Sequence, residues 1–494
     1  MKRKIAVLMV LISLMTVGCG TVKNKEITEE TPWQGEVVGV FEAENGTCTG
    51  NVIKKNDTVA EFLDDGDSCT IEITVEESGF YDLVFQLRSI GGYKENGVAV
   101  DEIGVGVVKT DSISFQPAVL PRVYLEAGTH TVTLQKQWGW VEWDNVSVIT
   151  SKPFDESVFE VSGKLSDPLA TENAKRVFSY LCDTYGKKIL SGQYIDNGRP
   201  EEWEIIKVVE NNGNHFPAVL GLDLVRYSQT GIDHESTSNV ADQAIDYWNK
   251  GGLVTICWHW MLDDSFVTKD WYRSFYTDQV RINLTDIMNG KDEKGWELLR
   301  KDIDNIAQEL LKMQDAGVPV LWRPLHEAAG KWFWWGSEGP ETYKQLYIRL
   351  YKILTEEYGL HNLIWIWNGQ DKDWYPGDAY VDMVGMDVYA GERVYTSQIA
   401  QFLENQRYAD TNKIVVLSEN GTVFDPELAV RDRAMWGFFC TWGSKHVMTE
   451  GTIKRYSEIY TEKSMLRKAY ESEYVVNRED LPDFTSYPIR DDAQ

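Results

Sequence analysis

The chain has 494 residues, 43% of them hydrophobic, 26% charged and 12% aromatic, which excludes a disordered, collagen-like or coiled-coil protein and is too long for one ordinary domain. Lys and Arg number 49 against 77 Asp and Glu, a net charge of −28, which argues against nucleic acid or an anionic membrane surface as a partner. A neutral polymer is compatible with this charge, and 19 Trp, 24 Tyr and 17 Phe supply flat rings both for a core and for stacking on sugars.

Lys2, Arg3 and Lys4 precede an apolar run from Ile5 to Met15, interrupted only by Ser13, and Thr16-Val17-Gly18-Cys19 follows. A basic start, a short apolar stretch and small residues before a cleavage point read as a secretory signal peptide over residues 1–18, too short to span a bilayer. Gly18-Cys19 resembles the lipobox of bacterial lipoproteins. That resemblance implies lipidation at Cys19 and anchoring to the outer leaflet of a membrane; the alternative is a simple secretory signal with an incidental cysteine. Residues 19–36 are polar and charged and read as a flexible tether, lipidated at its start. The expected location is extracytoplasmic, as a cell-surface lipoprotein or a secreted protein, and export permits disulfides. Cys48 and Cys69 lie in one small region and can pair. Cys182, Cys257 and Cys440 make the set odd, so at least one thiol stays free, and no spacing matches a zinc site.

Residues 37–150 read as short strands, among them Val38–Glu42, Cys69–Val75, Tyr81–Arg88, Arg122–Leu125 and Thr131–Gln135, punctuated by Gly79, Gly91-Gly92, Gly97 and Gly128. Alternation without helical spacing predicts an all-β sandwich, jelly-roll-like in outline. Residues 151–164 read as a linker. From 165 to 475 the pattern changes to apolar runs separated by amphipathic segments. The runs are Lys188–Ser191, Ala218–Leu224, Leu253–Trp260, Val318–Leu325, Leu363–Trp367, Met383–Val388, Ile414–Ser418 and Trp436–Trp442. Helical spacing marks Ala174–Tyr185, Asn239–Asn249, Trp296–Asp315 and Glu341–Tyr358. Eight buried strands alternating with helices predict a (β/α)8 barrel, followed by a tail over 476–494. An open doubly wound sheet is the alternative, but it favours a Gly-rich phosphate loop after its first strand, and Gly192-Gln193-Tyr194 is not one.

A barrel carries its active site at the carboxyl ends of its strands. There the third run ends in Trp258-His259-Trp260, the fourth in Arg323-Pro324-Leu325-His326-Glu327, the sixth in Asp387-Val388-Tyr389 and the seventh in Ser418-Glu419-Asn420-Gly421. Glu327 and Glu419 on opposite walls of one cleft suit glycoside hydrolysis, which needs one protonated and one ionised carboxyl group. No Gly-x-Ser-x-Gly elbow is present, and His326-Glu327 lacks the second His of a zinc protease motif. His259 and His326 are candidates for hydrogen bonds to the reacting sugar, against an alternative as satisfied core histidines. Arg323 is expected to hold Glu419 ionised by a charge-assisted hydrogen bond, the alternative being an ordinary ion pair. Tyr389 and Asp387 complete the set, Asp387 with a structural alternative. Trp332 and Trp442 are candidates for stacking on sugar, with Trp260 open between cleft and core, while Trp334, Trp335, Trp365 and Trp367 read as packing.

His326-Glu327-Ala328-Ala329-Gly330-Lys331-Trp332-Phe333-Trp334-Trp335-Gly336, preceded by Arg323-Pro324-Leu325, resembles the acid/base signature of glycoside hydrolase family 26, mainly endo-β-1,4-mannanases. Ile189-Leu190-Ser191-Gly192-Gln193, Trp258-His259-Trp260, Gly385-Met386-Asp387-Val388-Tyr389 and Leu417-Ser418-Glu419-Asn420-Gly421 extend the similarity over about 165–475. The resemblance implies Glu327 as general acid/base, Glu419 as nucleophile, retention of anomeric configuration and no catalytic cofactor. The two carboxyl groups are then roughly 5–5.5 Å apart. Phe41-Glu42-Ala43-Glu44-Asn45-Gly46, with Val123–Val132 and Trp140-Val141-Glu142-Trp143-Asp144-Asn145-Val146, resembles family 35 carbohydrate-binding modules. That likeness implies a structural Ca2+ held by Glu42, Glu44 and Asp144, the alternative being three solvated carboxylates. Trp138 and Trp140 are candidates for the module's sugar platform, or else core. The expected function is a lipid-anchored retaining endo-β-1,4-mannanase acting on mannan-type polysaccharide or oligosaccharide. Alternatives are a β-1,3-1,4-glucanase or β-xylanase of the same family, and a non-catalytic polysaccharide-binding surface lipoprotein.

Overall fold

Among residues 37–150, strands such as Ser68–Val75 follow the two-residue period of a strand that buries one face. In β5 (Ser68–Val75), Cys69, Ile71, Ile73 and Val75 are buried while Glu72 and Thr74 face solvent. The computed structural model describes residues 35–196, 203–236 and 238–493, so the expected signal peptide, Cys19 and most of the tether lie outside the described residues. One antiparallel sheet is built from β1 (Val37–Glu42), β3 (Ile53–Lys54), β4 (Val59–Glu61), β6 (Gly79–Ser89), β9 (Gln116–Leu125) and β11 (Val141–Thr150), in the order β3-β4-β11-β6-β9 with β1 also paired to β11. The other runs β2 (Thr47–Thr49), β5, β10 (Gly128–Gln135), β7 (Lys94–Val100), β8 (Ile103–Thr110). Phe62, Ile73, Phe85, Leu87, Leu134 and Trp143 share the core between them. Cys48 and Cys69 stand opposite one another in the β2–β5 register and form a disulfide. Cys182, Cys257 and Cys440 are buried free thiols.

The second region closes a parallel barrel from β13 (Gly192–Tyr194), β14 (Val219–Asp223), β15 (Leu253–Trp258), β16 (Val320–Pro324), β17 (Leu363–Trp367), β18 (Met383–Val388), β19 (Ile414–Asn420) and β20 (Phe439–Thr441). β15 to β19 are buried along their whole length, as staves covered on both faces must be. Helices cover the outside. Glu172–Thr184 starts at Thr171, whose hydroxyl accepts from Ala174 N–H at 3.3 Å, and Glu293–Asp315 starts at Asp292, whose carboxylate accepts from Gly295 N–H at 2.8 Å. Pro340 opens Pro340–Lys352 at a position where its missing N–H costs nothing.

The first stave differs from the expectation. The apolar pair Ile189–Leu190 forms β12, which pairs in parallel with β21 (Val475–Val476), while Leu190 also bridges to Phe438 of the eighth run. Ser191 N–H donates to Val476 O at 3.0 Å, and the chain then enters the barrel as Gly192–Tyr194. Gly192 permits closure there, because a Cβ would lie 2.4 Å from the Phe439 carbonyl oxygen. The eighth run likewise contributes only Phe439–Thr441.

The two regions touch. Ala400, on the helix Ile399–Asn405, packs on the core of the first region, and Lys109 of β8 pairs with Glu404 at 2.8 Å. Between them, Phe159 meets Tyr185 edge-on at 5.1 Å. The C-terminal segment returns to the barrel, with Phe484 stacked on Trp248 at 5.8 Å. Among the described residues no helix is long and apolar enough to cross a membrane.

Candidate active site

Arg323 is one of the last residues of β16 and is fully buried. Beyond it the backbone turns sharply: Leu325 (φ 53°) and Glu327 (φ 54°) both adopt left-handed conformations, which cost an L-residue about 1–2 kcal/mol each. Neighbouring bonds hold the turn. Glu327 N–H donates to the Asn368 carbonyl at 2.7 Å, Ala329 N–H to Gly369 O at 3.1 Å, and the Trp335 indole to His326 O at 2.8 Å. Such strain beside a cleft is characteristic of functional positions. The Glu327 carboxyl group accepts from Trp332 Nε1 at 2.9 Å.

Glu419 comes from β19, where the register against β18 slips between Met386 and Asp387, a bulge that re-aims the side chains beyond it. Arg323 Nη2 donates to Glu419 Oε1, and the Tyr389 hydroxyl donates to Oε2 at 2.5 Å. Arg323 Nη1 donates to Asp387 Oδ2 at 2.8 Å. Asp387 Oδ1 accepts from Asn368 Nδ2 at 2.8 Å and from Ser418 Oγ at 2.9 Å. One buried guanidinium therefore serves two carboxylates, and each carboxylate has further donors. This is the arrangement that makes buried charge tolerable.

Oxygen atoms of Glu327, Asp387 and Glu419 lie within 4.8 Å of one another. Burial, then the charges of Asp387 and Glu419, push the Glu327 carboxyl well above its usual range. Burial and Asp387 also raise Glu419, but Arg323, the Tyr389 hydrogen bond and His259 oppose the rise. The proton therefore resides on Glu327 before Glu419, the division of labour that two catalytic carboxyl groups need.

The two histidines meet each other. His259 Nδ1 contacts Asp223 Oδ2 at 2.7 Å, and His259 Nε2 contacts His326 Nε2 at 3.3 Å. His326 is buried, so of the pair only His259 has partial exposure, on the wall formed with Phe275, Phe333 and Trp442. Trp442 follows β20 and packs on Tyr194 at 4.8 Å, and Trp332 is 43% exposed beside Glu327. Trp260 is the correction among the expected cleft residues. It is fully buried, stacked on Trp258 at 4.1 Å, with its indole N–H given to Asp302 at 2.8 Å, so it offers no face to a sugar. Arg323 and Asp387 likewise act from behind the carboxylates, being wholly buried at their charged groups.

Sequence reasoning missed Tyr194, Asn368, Ser418 and Asp223. Tyr194 Oη accepts from Arg323 Nη2 at 3.2 Å, and Asp223 ends β14 against His259. Asn368 and Asp223 were legible as polar residues closing apolar runs. Tyr194 was hidden because its stave was displaced.

Two trios of ligand-type residues converge among the described residues, Asp223–Cys257–His259 and Glu327–Asp387–Glu419. Neither chemistry favours a metal. Burial drives the Cys257 thiol well above its usual range, and Arg323 already supplies the positive charge to the second trio. Glu42, Glu44 and Asp144 form no such group. Glu42 is opposite Asn145 across the β1–β11 pair, and Asp144 accepts from Asn145 Nδ2 at 3.0 Å. Glu44 Oε2 is buried without a hydrogen-bond partner, a feature a hard cation satisfies, although the Lys54 ammonium already occupies the Glu44 and Gly46 carbonyls. Trp138 and Trp140 are not core: they are 59% and 50% exposed on the β10–β11 turn, with Tyr93 edge-on to Trp138 at 5.5 Å.

The sequence profile of glycosyl hydrolase family 26 matches residues 166–471, and that of carbohydrate binding module family 35 matches residues 39–152. The chain is 31% identical to a mannan endo-1,4-β-mannosidase of Thermothelomyces thermophilus, across 89% of this chain and 90% of that one. It is also 31% identical to mannan endo-1,4-β-mannosidase B of Piromyces sp, across 90% of this chain and 77% of the other. Among solved structures it is similar to a Podospora anserina GH26-CBM35 β-(1,4)-mannanase, with 32% identity, a TM-score of 0.63, and 91% and 99% of the two chains covered. A β-mannanase from a symbiotic protist of the termite Reticulitermes speratus, complexed with gluco-manno-oligosaccharide, matches with 32% identity and a TM-score of 0.58 over 65% of this chain and 98% of that one. With a carbohydrate-binding module of family 35 type in front of a barrel built around Glu327 and Glu419, the chain belongs to glycosyl hydrolase family 26.

Proposed function

We propose that this protein is a retaining endo-β-1,4-mannanase. The observation that carries the mechanism is the approach of Glu327 and Glu419 oxygens to within 4.8 Å. Retaining glycosidases separate their carboxyl groups by roughly 5–5.5 Å, whereas inverting ones leave roughly 6.5–9.5 Å for a water between them. The mannan endo-1,4-β-mannosidases covering most of this chain support the substrate and linkage.

Glu419 Oε attacks the anomeric carbon while Glu327 gives its proton to the departing glycosidic oxygen. The C–O bond to the leaving sugar breaks and a mannosyl ester forms on Glu419. The ester removes the negative charge of Glu419, so the Glu327 carboxyl becomes more acidic and, now ionised, takes a proton from water. That water cleaves the ester and returns the original β configuration. Trp332 and Trp442 line the walls where sugar rings stack. Trp138 and Trp140 hold polysaccharide on the module, raising its local concentration at the barrel.

Export with lipidation at Cys19 is part of this proposal, supported by the Gly18-Cys19 signature behind a short apolar run. A cation such as Ca2+ at Glu44, with Glu42 and Asp144 drawn in, is proposed on the buried, unpartnered Glu44 Oε2. Proton NMR of the first product released from a β-1,4-manno-oligosaccharide tests the central reading. We expect the β anomer first and internal cleavage of the chain. An α anomer refutes retention, and cleavage of β-glucan or xylan in place of mannan refutes the substrate.

A further inference from the structure

Asp223, at the carboxyl end of β14, takes no part in the two-carboxylate chemistry, yet it is closely tied to the site. Its Oδ1 accepts two backbone N–H groups, Val225 at 2.9 Å and His259 at 3.0 Å, and its Oδ2 faces His259 Nδ1 at 2.7 Å. An acceptor at that distance fixes a proton on His259 Nδ1. The other ring nitrogen of His259 meets His326 Nε2 at 3.3 Å, so a single proton lies between the two rings. His326 is buried and sits beside Arg323, and both burial and that cation drive its protonation well below the usual range. If either ring carries charge, it is His259.

We propose that Asp223 is a positioning residue that sustains an imidazolium at His259, and that the charge of this ring, together with that of Arg323, favours the ionised form of the nucleophile Glu419. The proposal rests on Glu419 being the nucleophile, as argued above. The charged and titratable groups facing His259 are Asp223 from β14, Cys257 from β15, Arg323 and His326 from β16 and its turn, and Glu419 from β19. Burial and Arg323 oppose charge on the ring. Asp223, by its charge and its hydrogen bond, and Glu419 outweigh them, so the His259 cation is favoured overall. The relation is reciprocal, since His259 is among the groups that hold Glu419 down against burial. A cationic His259 donates its Nε2 proton to a neutral His326, which agrees with the charge His326 cannot take. Removing Asp223 therefore reaches Glu419 through one intermediate ring.

Three measurements test this on the full chain. Imidazole nitrogen NMR of the unmodified protein, in which only seven histidines contribute, reads the charge directly. We expect His259 to be doubly protonated around pH 6 and above, and a ring that stays neutral there overturns the proposal. Asp223→Asn keeps an oxygen for the two backbone N–H groups but turns an amide toward His259. We expect the acid limb of kcat/KM to move up by about one pH unit, equivalent to an about tenfold loss well below the limb. A uniform loss at every pH marks a merely structural role and overturns it. His259→Gln should reproduce that movement, and adding Asp223→Asn to it should move the limb no further; an additional movement shows that Asp223 does not act through His259. Mass spectrometry of a trapped glycosyl ester tests Glu419 itself, so failure of the nucleophile assignment and failure of the Asp223 proposal are separable.

Discussion

The Tyr389 hydroxyl donates to Glu419 Oε2 over 2.5 Å, and it reaches there from the adjacent stave, just beyond the end of β18. With Arg323 on the other oxygen, each oxygen of Glu419 has a named donor. Tyr389→Phe deletes one of them without changing the ring. A hydrogen bond to a charged group contributes about 1.5–3 kcal/mol, so kcat should fall about 10- to 100-fold. The acid limb should rise as well, because the hydroxyl stabilises the ionised carboxylate. Steady-state kinetics against pH check both, with a thermal melt to show that the fold is intact.

Glu327→Ala should separate the two chemical steps. On mannan the departing oxygen needs a proton, and loss of general acid catalysis is expected to cost about 10²–10⁴-fold. On an aryl β-mannoside with an acidic phenol the first step needs no proton, so ester formation survives and its hydrolysis becomes limiting. Added azide should then accelerate turnover and give a β-glycosyl azide. Failure of azide to act on the aryl substrate would assign the acid/base role elsewhere.

The indole of Trp332 bonds directly to Glu327, and that bond works against the upward pull of burial and of the Asp387 and Glu419 charges. Trp332→Phe keeps an aromatic face and removes the donor. Glu327 should then hold its proton to higher pH, so the basic limb of kcat/KM should move upward by about one unit or less. A downward movement contradicts the sign of the interaction. KM for long substrates tests the stacking role independently, through Trp332→Ala.

Much of this site was readable because catalytic groups interrupt apolar runs where buried staves end: Glu327 after Leu321–Leu325, and Glu419 after Ile414–Leu417, are polar residues with no place in a core. The same rule explains the misreading of the first stave. Ile189–Leu190 is the most apolar pair there, but burial says only that a residue is inside, and the pair bonds chiefly to β21, with Leu190 alone bridging to Phe438 of the eighth run. Gly192–Tyr194, with one glycine and one glutamine in three residues, shows no apolar run; the family resemblance reached it as far as Gln193, and pairing with β14 and β20 defines it as the stave. Trp260 illustrates a second limit. It follows His259 at a strand end, as a cleft residue should, yet the chain has turned by then, and its indole finds Asp302 on the Glu293–Asp315 helix. Sequence adjacency does not encode that turn.

Trp138 and Trp140 present exposed rings with no core role, so their loss should leave the barrel untouched. Trp138→Ala combined with Trp140→Ala should abolish retention of the protein on insoluble mannan in a pull-down. Turnover of short soluble oligosaccharides should remain within about twofold of the parent, because linked binding helps only substrates long enough to reach both sites. Equal losses on short and long substrates would place these rings outside any binding role.

Glu142 is a buried charge of the module. Its carboxylate accepts from Thr58 Oγ1 at 2.6 Å, Lys55 at 2.9 Å and Arg88 at 2.7 Å. Burial opposes its ionisation, but those hydrogen bonds and the Arg88 charge prevail and lower its pKa from 4.5 to about 2. A carboxyl group whose pKa is depressed on folding adds stability that is fully present above its unfolded value and is lost as pH falls through the folded one. The contribution of Glu142 should therefore hold at neutral pH and disappear between about 4.5 and about 2. Glu142→Gln removes the charge while leaving Lys55 and Arg88 facing a neutral amide. It should destabilise the module by about 1–3 kcal/mol at pH 7, as loss of a buried charged partner does. The gap between variant and parent in calorimetric melts should narrow steadily on acidification through that window. A gap that stays constant with pH would show that Glu142 acts by packing and not by charge.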